Sequence, residues 1–207
     1  MIITYVGGNC FKLSAGNTTV AVNPPSTQSK QKVSKFGADV VLISTHHNEW
    51  NGEETASHGD KDPFVISGPG AYEVGDVVVT GYASPGALEK EANDFANTIY
   101  LLQFDGMRIL LLGALSSSKL PQEVRADLND VNIVFVPLGS KTLDGKGAHD
   151  LVVALEAKLT IPYATDSSDD LKSFIKIAGG GSVKPVEKLT LKPKDISAMS
   201  GEVALLK

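Results

Sequence analysis

The segment 38–52 places a strand buried on both faces directly before the chain's most concentrated group of chemically active side chains. Val40 to Ile43 is an uninterrupted apolar run with β-branched residues at three of its four positions, which is typical of such a strand. The loop after it holds two of the four histidines, a carboxylate and the only tryptophan, namely His46, His47, Glu49 and Trp50. A buried strand that ends in a polar loop is a common way to build a functional site on a rigid scaffold.

Further strand patterns lie on both sides of this segment. Residues 2–6, 10–14 and 18–22 alternate or run apolar around two turns rich in glycine and asparagine, so they predict a β-meander. Residues 98–104 and 107–112 are apolar on both faces around Asp105-Gly106, which predicts a hairpin in the core. Shorter strands are expected at Phe64 to Ile66, Tyr72 to Val74 and Val77 to Tyr82.

The second half of the chain alternates strands with helices. Helices are predicted at 121–128, at 144–156 with Asp144 as the cap, and at 169–178, and strands at 131–136 and 159–161. Segment 53–62 predicts a surface loop, 87–96 an acidic excursion, and 186–207 two edge strands around Pro193. Together these patterns predict an α/β fold in one domain over residues 1–207, with two sheets face to face and helices outside.

Composition excludes several classes of function. The formal charge of -5, without any run of lysine or arginine, argues against nucleic acid as a partner. The single cysteine, Cys10, excludes a disulfide framework or a thiolate metal cluster. No apolar run approaches the ~20 residues of a membrane span, and the start lacks a signal-peptide pattern. We therefore expect a cytoplasmic protein without membrane contact.

The polar loop after residue 43 is the first candidate for a metal site. Imidazole and carboxylate groups that converge from one loop can share an ion, and His46, His47 and Glu49 supply both. A solvated turn whose imidazoles point in different directions is the alternative. Other candidates are weaker: His58 with Asp60 lies in the predicted loop, His149 in a helix, and Cys10 in an apolar strand where a thiol is inert.

Two short motifs partly resemble a phosphate-binding loop and a nucleophile elbow, but each lacks a residue that such a site requires. Gly139-Ser140-Lys141-Thr142 is similar to the end of a phosphate-binding loop, but Ser140 stands where that loop requires glycine. The serines at 116–118 follow a strand but lack the glycines of a nucleophile elbow, so a serine hydrolase is not predicted.

Seven stretches resemble metallo-β-lactamase-fold proteins, and within them the zinc-dependent hydrolases related to ascorbate-6-phosphate lactonase. They are Ile3 to Leu13, Val22 to Pro24, Ala38 to Ser44, Phe64 to Val74, Val134 to Pro137, Ile161-Pro162 and Lys188 to Leu191. The resemblance covers nearly the whole chain. It implies an αββα sandwich and, in relatives with a complete site, two zinc ions with a bridging water as nucleophile.

The same resemblance implies that most metal ligands are missing. The family's loop reads His-x-His-x-Asp-His, and its ligand positions fall on Thr45, His47, Glu49 and Trp50. The remaining ligand positions fall within 84–86, on Ala114 after Gly113, and near Ala164, and none of them carries the expected side chain. A catalytic zinc needs about three protein ligands and an open position for water, so no cofactor is expected, with zinc as the alternative.

The sequence therefore predicts a degenerate, non-catalytic member of the family that serves as a binding or assembly module. The predicted cleft consists of Thr45, His46, His47, Glu49, Trp50 and Ala114. The alternative is a hydrolase of lactones, phosphodiesters or other esters with a mononuclear site on His46, His47 and Glu49, in which Glu49 is the general base. Trp50 is either an exposed contact for a ligand or a core residue that replaced the metal. The expected partner is a small molecule, a protein or a second copy of this chain.

Overall fold

Two mixed β-sheets lie face to face at the centre of the molecule. The structure is a computed structural model that describes residues 1–31, 33–86, 97–166, 168–179 and 183–207. The predicted excursion at 87–96 lies outside the described residues.

The first sheet has six strands in the spatial order β12-β1-β2-β3-β4-β5. These strands are β1 (Ile2–Gly7), β2 (Cys10–Ala15), β3 (Thr18–Val22), β4 (Val40–Leu42), β5 (Phe64–Ile66) and β12 (Lys188–Thr190). The first three form the predicted antiparallel meander, whereas β4 and β5 continue it in parallel. All three residues of β4 are buried, as its continuous apolar run predicts.

The second sheet has seven strands in the order β13-β11-β10-β9-β8-β7-β6. These are β6 (Gly70–Val74), β7 (Val77–Ser84), β8 (Asn97–Phe104), β9 (Met107–Leu111), β10 (Ile133–Leu138), β11 (Leu159–Ala164) and β13 (Glu202–Val203). Strands β6 to β9 are antiparallel, and β9, β10, β11 and β13 run parallel to one another. The core hairpin around Asp105-Gly106 is formed as predicted, with positive φ angles at both residues.

Helices flank the two sheets. They are α1 (Glu53–Ala56), α2 (Gln122–Asp127), α3 (Gly145–Ala154), α4 (Asp169–Ile177) and α5 (Pro193–Ser197). The Asp144 side chain caps α3 by accepting a hydrogen bond from the Gly147 amide at 2.6 Å, as predicted. Within the described residues, no helix is long and apolar enough to cross a membrane.

Three apolar clusters define the layers. The largest joins the inner faces of both sheets, with Phe11 and Phe135 in edge-to-face contact at 4.9 Å between ring centroids. A second packs α2, α3 and α4 on the outer face of the second sheet, through residues such as Val124, Leu151 and Phe174. A third places Ala56 of α1 against the outer face of the first sheet. The αββα sandwich expected from the sequence is confirmed.

Two local predictions were wrong. Segment 53–62, predicted as a loop, begins with α1, whose Ala56 is buried because it packs on β3 and β4. The neighbouring Thr55 is buried with its hydroxyl donating to the Pro25 carbonyl at 2.7 Å. The region around Pro193, predicted to separate two edge strands directly, also contains α5. Proline is tolerated there because the first residue of a helix has no intrahelical partner for its amide. The two edge strands themselves are present as β12 and β13.

Candidate functional site

Loops that follow the parallel strands meet at one edge of the sandwich. Residue Asn23, just after β3, accepts the Ser44 amide through Oδ1 at 2.8 Å, which joins the ends of β3 and β4. The carbonyl of Ser44 in turn accepts the Thr98 amide of β8 at 2.7 Å, which ties the two sheets together. In open α/β sheets, binding sites form at the carboxyl ends of parallel strands, so this edge is the first place to look for a site.

The loop 45–50 forms tight backbone turns that fix the direction of its side chains. The amide of His47 donates to the Thr45 carbonyl at 3.0 Å, and the amide of Trp50 donates to the His47 carbonyl at 2.7 Å. The Nδ1 atom of His47 accepts the Glu49 amide at 3.3 Å, so the proton of the neutral ring lies on Nε2. Both His46 and His47 are exposed, whereas Thr45 is buried.

Both carboxylate oxygens of Glu49 accept hydrogen bonds from the preceding polar segment. Its Oε2 atom accepts the Ser29 hydroxyl at 2.5 Å, and its Oε1 atom accepts the Lys30 amide at 3.2 Å. The neighbouring Asn48 carbonyl accepts the Ser26 amide at 2.8 Å. Glu49 therefore fastens the loop to the preceding polar segment.

Trp50 is a core residue, which is the second of the two alternatives that the sequence left open. Its side chain is only 2% exposed and belongs to the cluster between the sheets. Its ring lies 6.5 Å from that of Tyr163, centroid to centroid. The indole occupies space at the position where the family motif has histidine.

Ala114 lies beside a buried hydrogen-bond network centred on Asn97. The Asn97 side chain donates to Ser84 Oγ at 2.8 Å and to the Leu112 carbonyl at 3.0 Å, and it accepts the Ala114 amide at 2.7 Å. We call these four residues the Asn97 cluster. The Asn97 side chain thus uses both of its N–H donors and its oxygen acceptor within the protein. Ala114, on which one of the family's ligand positions falls, offers no side-chain ligand.

Gly113 and Tyr163 close the network from either side. A Cβ atom on Gly113, whose φ is +62°, would lie 2.3 Å from Asn97 Oδ1 and 2.6 Å from Ser44 Cβ, so only glycine fits. The Tyr163 hydroxyl donates to the Gly113 carbonyl at 2.7 Å. Burial raises the pKa of the Tyr163 phenol, which keeps it protonated as a donor.

A cleft of about 220 Å³ opens beside Trp50 at this edge of the sandwich. We call it the edge cleft and define it by six lining residues: Asn9, Gln31, His47, Glu49, Lys141 and Thr165. One side of Trp50 also faces it. The structure thus brings His47, Glu49 and Trp50 to one cleft, whereas His46, Thr45 and Ala114 do not line it.

The weaker candidates lie elsewhere. His58 and Asp60 are exposed in the segment after α1, and His149 lies in α3 with its ring 6.4 Å from that of Phe174. Cys10 is fully buried in β2, and burial raises the pKa of its thiol, as expected for an inert cysteine.

Sequence reasoning missed most of the edge cleft. Asn9 was visible only as a turn residue, and Gln31 lay in a polar stretch without pattern. Lys141 belongs to the motif at 139–142, which does not meet the requirements of a phosphate loop, and it lies in the segment after β10. The sequence signal that could have found these residues is their position in the chain. Segments 139–144 and 165–166 directly follow the parallel strands β10 and β11, whose carboxyl ends meet at this edge.

The residues at this edge do not fit the two-zinc site of the metallo-β-lactamase fold. Both oxygens of Glu49 accept hydrogen bonds from the segment 29–30, the Trp50 side chain is buried, and Ala114 offers only a backbone amide. In the described ranges, no group of three or more histidine, cysteine, aspartate or glutamate side chains could hold one ion. A zinc site needs about three such ligands, so we derive no catalytic step through a metal.

Comparison with known proteins identifies the family. Residues 2–164 match the family model of the beta-lactamase superfamily domain. The chain belongs to this superfamily. No curated protein matches the chain.

Solved structures of the metallo-β-lactamase superfamily share the fold. A protein from Thermotoga maritima, assigned to the zinc-dependent hydrolases of that superfamily, is 24% identical with a TM-score of 0.76, over 99% of this chain and 98% of its own. A protein from Parabacteroides distasonis, assigned to the metal-dependent hydrolases, is 18% identical with a TM-score of 0.64, over 86% and 89%. Igni18, a metallo hydrolase from Ignicoccus hospitalis, is 15% identical with a TM-score of 0.64, over 92% and 99%.

These likenesses confirm the predicted metallo-β-lactamase fold. At such identities a shared fold does not establish a shared reaction, because function depends on the residues of the site. Membership of the superfamily thus accounts for the fold of this chain. Its function has to be argued from the side chains that line the edge cleft.

Proposed function

We propose that this chain is a non-catalytic member of the beta-lactamase superfamily that binds a small polar molecule in the edge cleft. The observation that carries the proposal is the hydrogen bonding of Glu49. It is the one carboxylate of the former metal loop, and its oxygens accept the Ser29 hydroxyl and the Lys30 amide. A general base needs a free lone pair within reach of a reacting proton, and a metal ligand needs one directed at the ion.

The cleft itself supports binding. It remains open although the Trp50 side chain beside it packs between the sheets. Its walls come from five separate parts of the chain, which include the β1–β2 turn and the loops after β4, β10 and β11. Concave sites with a few polar groups on a rigid scaffold are typical of small-molecule binding.

Metal analysis of the purified protein tests this proposal. The wild type is incubated with Zn²⁺ and Mn²⁺, freed of loosely bound ions and assayed by elemental analysis, together with His47→Ala and the matched control His58→Ala. We expect all three proteins to retain far less than one equivalent. The same samples should not hydrolyse lactones or phosphodiesters above the uncatalysed rate.

A different result would establish the alternative function. Retention of one equivalent by the wild type and by His58→Ala, but not by His47→Ala, would show a mononuclear site on the loop 45–50. Hydrolysis that depends on that metal would then make the chain an esterase-type enzyme, and the non-catalytic proposal would be wrong.

A further inference from the structure

We propose that a groove formed by α2, α3 and the segment 118–120 binds a medium-chain aliphatic carboxylate. We call it the helix groove and define it by six lining residues: Lys119, Leu120, Arg125, Leu151, Ala154 and Leu155. Its volume of about 440 Å³ is twice that of the edge cleft. Small-molecule sites typically occupy about 300–1,000 Å³, so the helix groove is large enough for a ligand. The inference goes beyond the proposed function, because the groove and the edge cleft have no described lining residue in common.

The floor of the helix groove is apolar. Leu120 and Leu151 are buried members of the cluster that packs the helices on the second sheet, and the half-buried Leu155 packs against that cluster. Leu151, Ala154 and Leu155 are three and four residues apart, so they share one face at the end of α3. Apolar walls favour an aliphatic chain, because its burial there removes apolar surface from water.

Two cations at the rim have no partner among the described residues. Lys119 and Arg125 are both exposed, and neither side chain takes part in an ion pair or a hydrogen bond within the described ranges. Their backbone amides donate to Ser117 Oγ at 3.2 Å and to the Pro121 carbonyl at 3.1 Å. Both charged groups are therefore available to an anion.

The carboxylate on the wall does not cancel these charges. Asp150 also lines the groove, and its Oδ2 atom accepts a hydrogen bond from Lys146 Nζ, one turn earlier in α3, at 2.5 Å. Its Oδ1 atom lies 3.8 Å from His149 Nδ1. Because Lys146 already compensates Asp150, the groove keeps an excess of positive charge from Lys119 and Arg125.

An apolar floor below two free cations matches a ligand with an aliphatic tail and an anionic head. The guanidinium group of Arg125 can bind both oxygens of a carboxylate, and the ammonium group of Lys119 adds a point charge. A neighbouring groove on another face of α3 differs, because Lys158 and Glu156 bring opposite charges to it. That second groove therefore supplies matched controls.

Calorimetric titration of the full chain with octanoate, octylammonium and butanoate tests the inference. We expect octanoate to bind at one site per chain. Octylammonium has the same tail but the opposite charge, so it should bind at least about tenfold more weakly. Butanoate keeps the head but lacks four methylene groups, and it should also bind at least about tenfold more weakly. Higher ionic strength should weaken octanoate, because the two cations are exposed.

Two neighbouring residues of α3 locate the site of binding. Ala154→Glu places a like charge for the ligand on the wall of the helix groove, at an exposed position, and should weaken octanoate at least about tenfold. Val153→Glu is the matched control, because Val153 is also exposed but lines the second groove. Its affinity for octanoate should stay within about twofold of the wild type, since solvent and salt screen the more distant charge.

Removal of the cations tests the role of the head group. Lys119→Gln and Arg125→Gln should each weaken octanoate by about two- to fivefold, as expected for exposed ion pairs, and the double variant by about tenfold. Lys158→Gln, in the second groove, is the matched control and should leave the affinity unchanged. Circular dichroism of each variant verifies that it is folded.

Three outcomes would overturn the inference: no binding of octanoate, octylammonium binding as tightly as octanoate, or equal effects of Ala154→Glu and Val153→Glu. His47→Ala in the same titration separates this proposal from the proposed function, and it should bind octanoate as the wild type does. Loss of octanoate binding in His47→Ala alone would move the carboxylate to the edge cleft and refute the helix groove. Failure of the helix groove would leave the proposed function standing, because that function is tested by the retention of metal.

Discussion

Two buried asparagines at the same edge of the sandwich differ in how they are satisfied. Asn97 donates to Ser84 and Leu112 and accepts from Ala114, so its amide is fully used within the protein. Asn9 is equally buried, but its Oδ1 atom has no partner in the described part of the chain. A saturated amide makes the Asn97 cluster a structural element, whereas the enclosed Oδ1 atom of Asn9 adds no hydrogen bond to the fold.

The same contrast separates two regions at this edge of the sandwich. Trp50 packs in the cluster between the sheets, and the Asn97 cluster is hydrogen-bonded internally at the same edge. In the edge cleft, Gln31, Lys141 and Thr165 keep an open concave surface. Each prediction below alters one of these two regions.

The largest effect is expected from Gly113→Ala. The new Cβ would lie 2.3 Å from Asn97 Oδ1, and the φ of +62° is unfavourable for alanine, so we expect a loss of about 4 kcal/mol in the free energy of unfolding. Gly16→Ala is the matched control, because it has a similar φ of +56° but nothing within 4 Å of the new atom. It should lose only about 1 kcal/mol in the same urea titration. Equal losses would mean that the Asn97 cluster is not tightly packed.

The two asparagines themselves should respond differently to leucine. Asn97→Leu breaks three hydrogen bonds and leaves their partners buried, so we expect a loss of about 3 kcal/mol in unfolding free energy. Asn9→Leu removes an oxygen that has no partner, and the unliganded protein should change by less than about 1 kcal/mol. Urea unfolding of both variants measures the contrast. A similar loss in both would show that the two asparagines do not differ in how their amides stabilise the fold.

Much of the scaffold could be predicted from the sequence, and the site could not, for a physical reason. Strand β4 and the hairpin around Asp105-Gly106 depend on apolar patterns and turn chemistry that are local in the chain. The edge cleft depends on which loop ends meet across two sheets, so Gln31 and Thr165 had no local signal. The direction of Glu49 was equally hidden, because its partner Ser29 lies 20 residues earlier.

A smaller effect is expected from Tyr163→Phe, which removes the hydroxyl that donates to the Gly113 carbonyl. The loss should be about 1.5 kcal/mol at pH 7. Burial raises the pKa of Tyr163, so above the ordinary pKa of about 10 the unfolded chain binds fewer protons than the folded one. Stability should therefore fall as pH rises beyond about 10, and less steeply in Tyr163→Phe than in the wild type. Parallel pH curves would show that this phenol does not remain protonated in the fold.

The smallest effect is expected from Ser29→Ala in the polar segment beside the cleft. It removes one of the two hydrogen bonds that hold Glu49, at a half-exposed position, so the free energy of unfolding should fall by about 0.5–1 kcal/mol. The matched control Ser197→Ala breaks an exposed contact in α5 and tests for a general serine effect. A loss above 2 kcal/mol in Ser29→Ala alone would mean that Glu49 organises far more of the loop than its two bonds indicate.

The central claim is that the former metal loop no longer gathers ligands, and a zinc titration followed on the imidazole NMR signals tests it most directly. The chain has four histidines, and His58 and His149, which lie outside the cleft, serve as internal controls. We predict that the signals of His46 and His47 move no earlier in the titration than those of the two controls. Saturation of the His46 and His47 signals at one equivalent of zinc, with the controls unchanged, would contradict the claim and return the chain to the metal-dependent hydrolases.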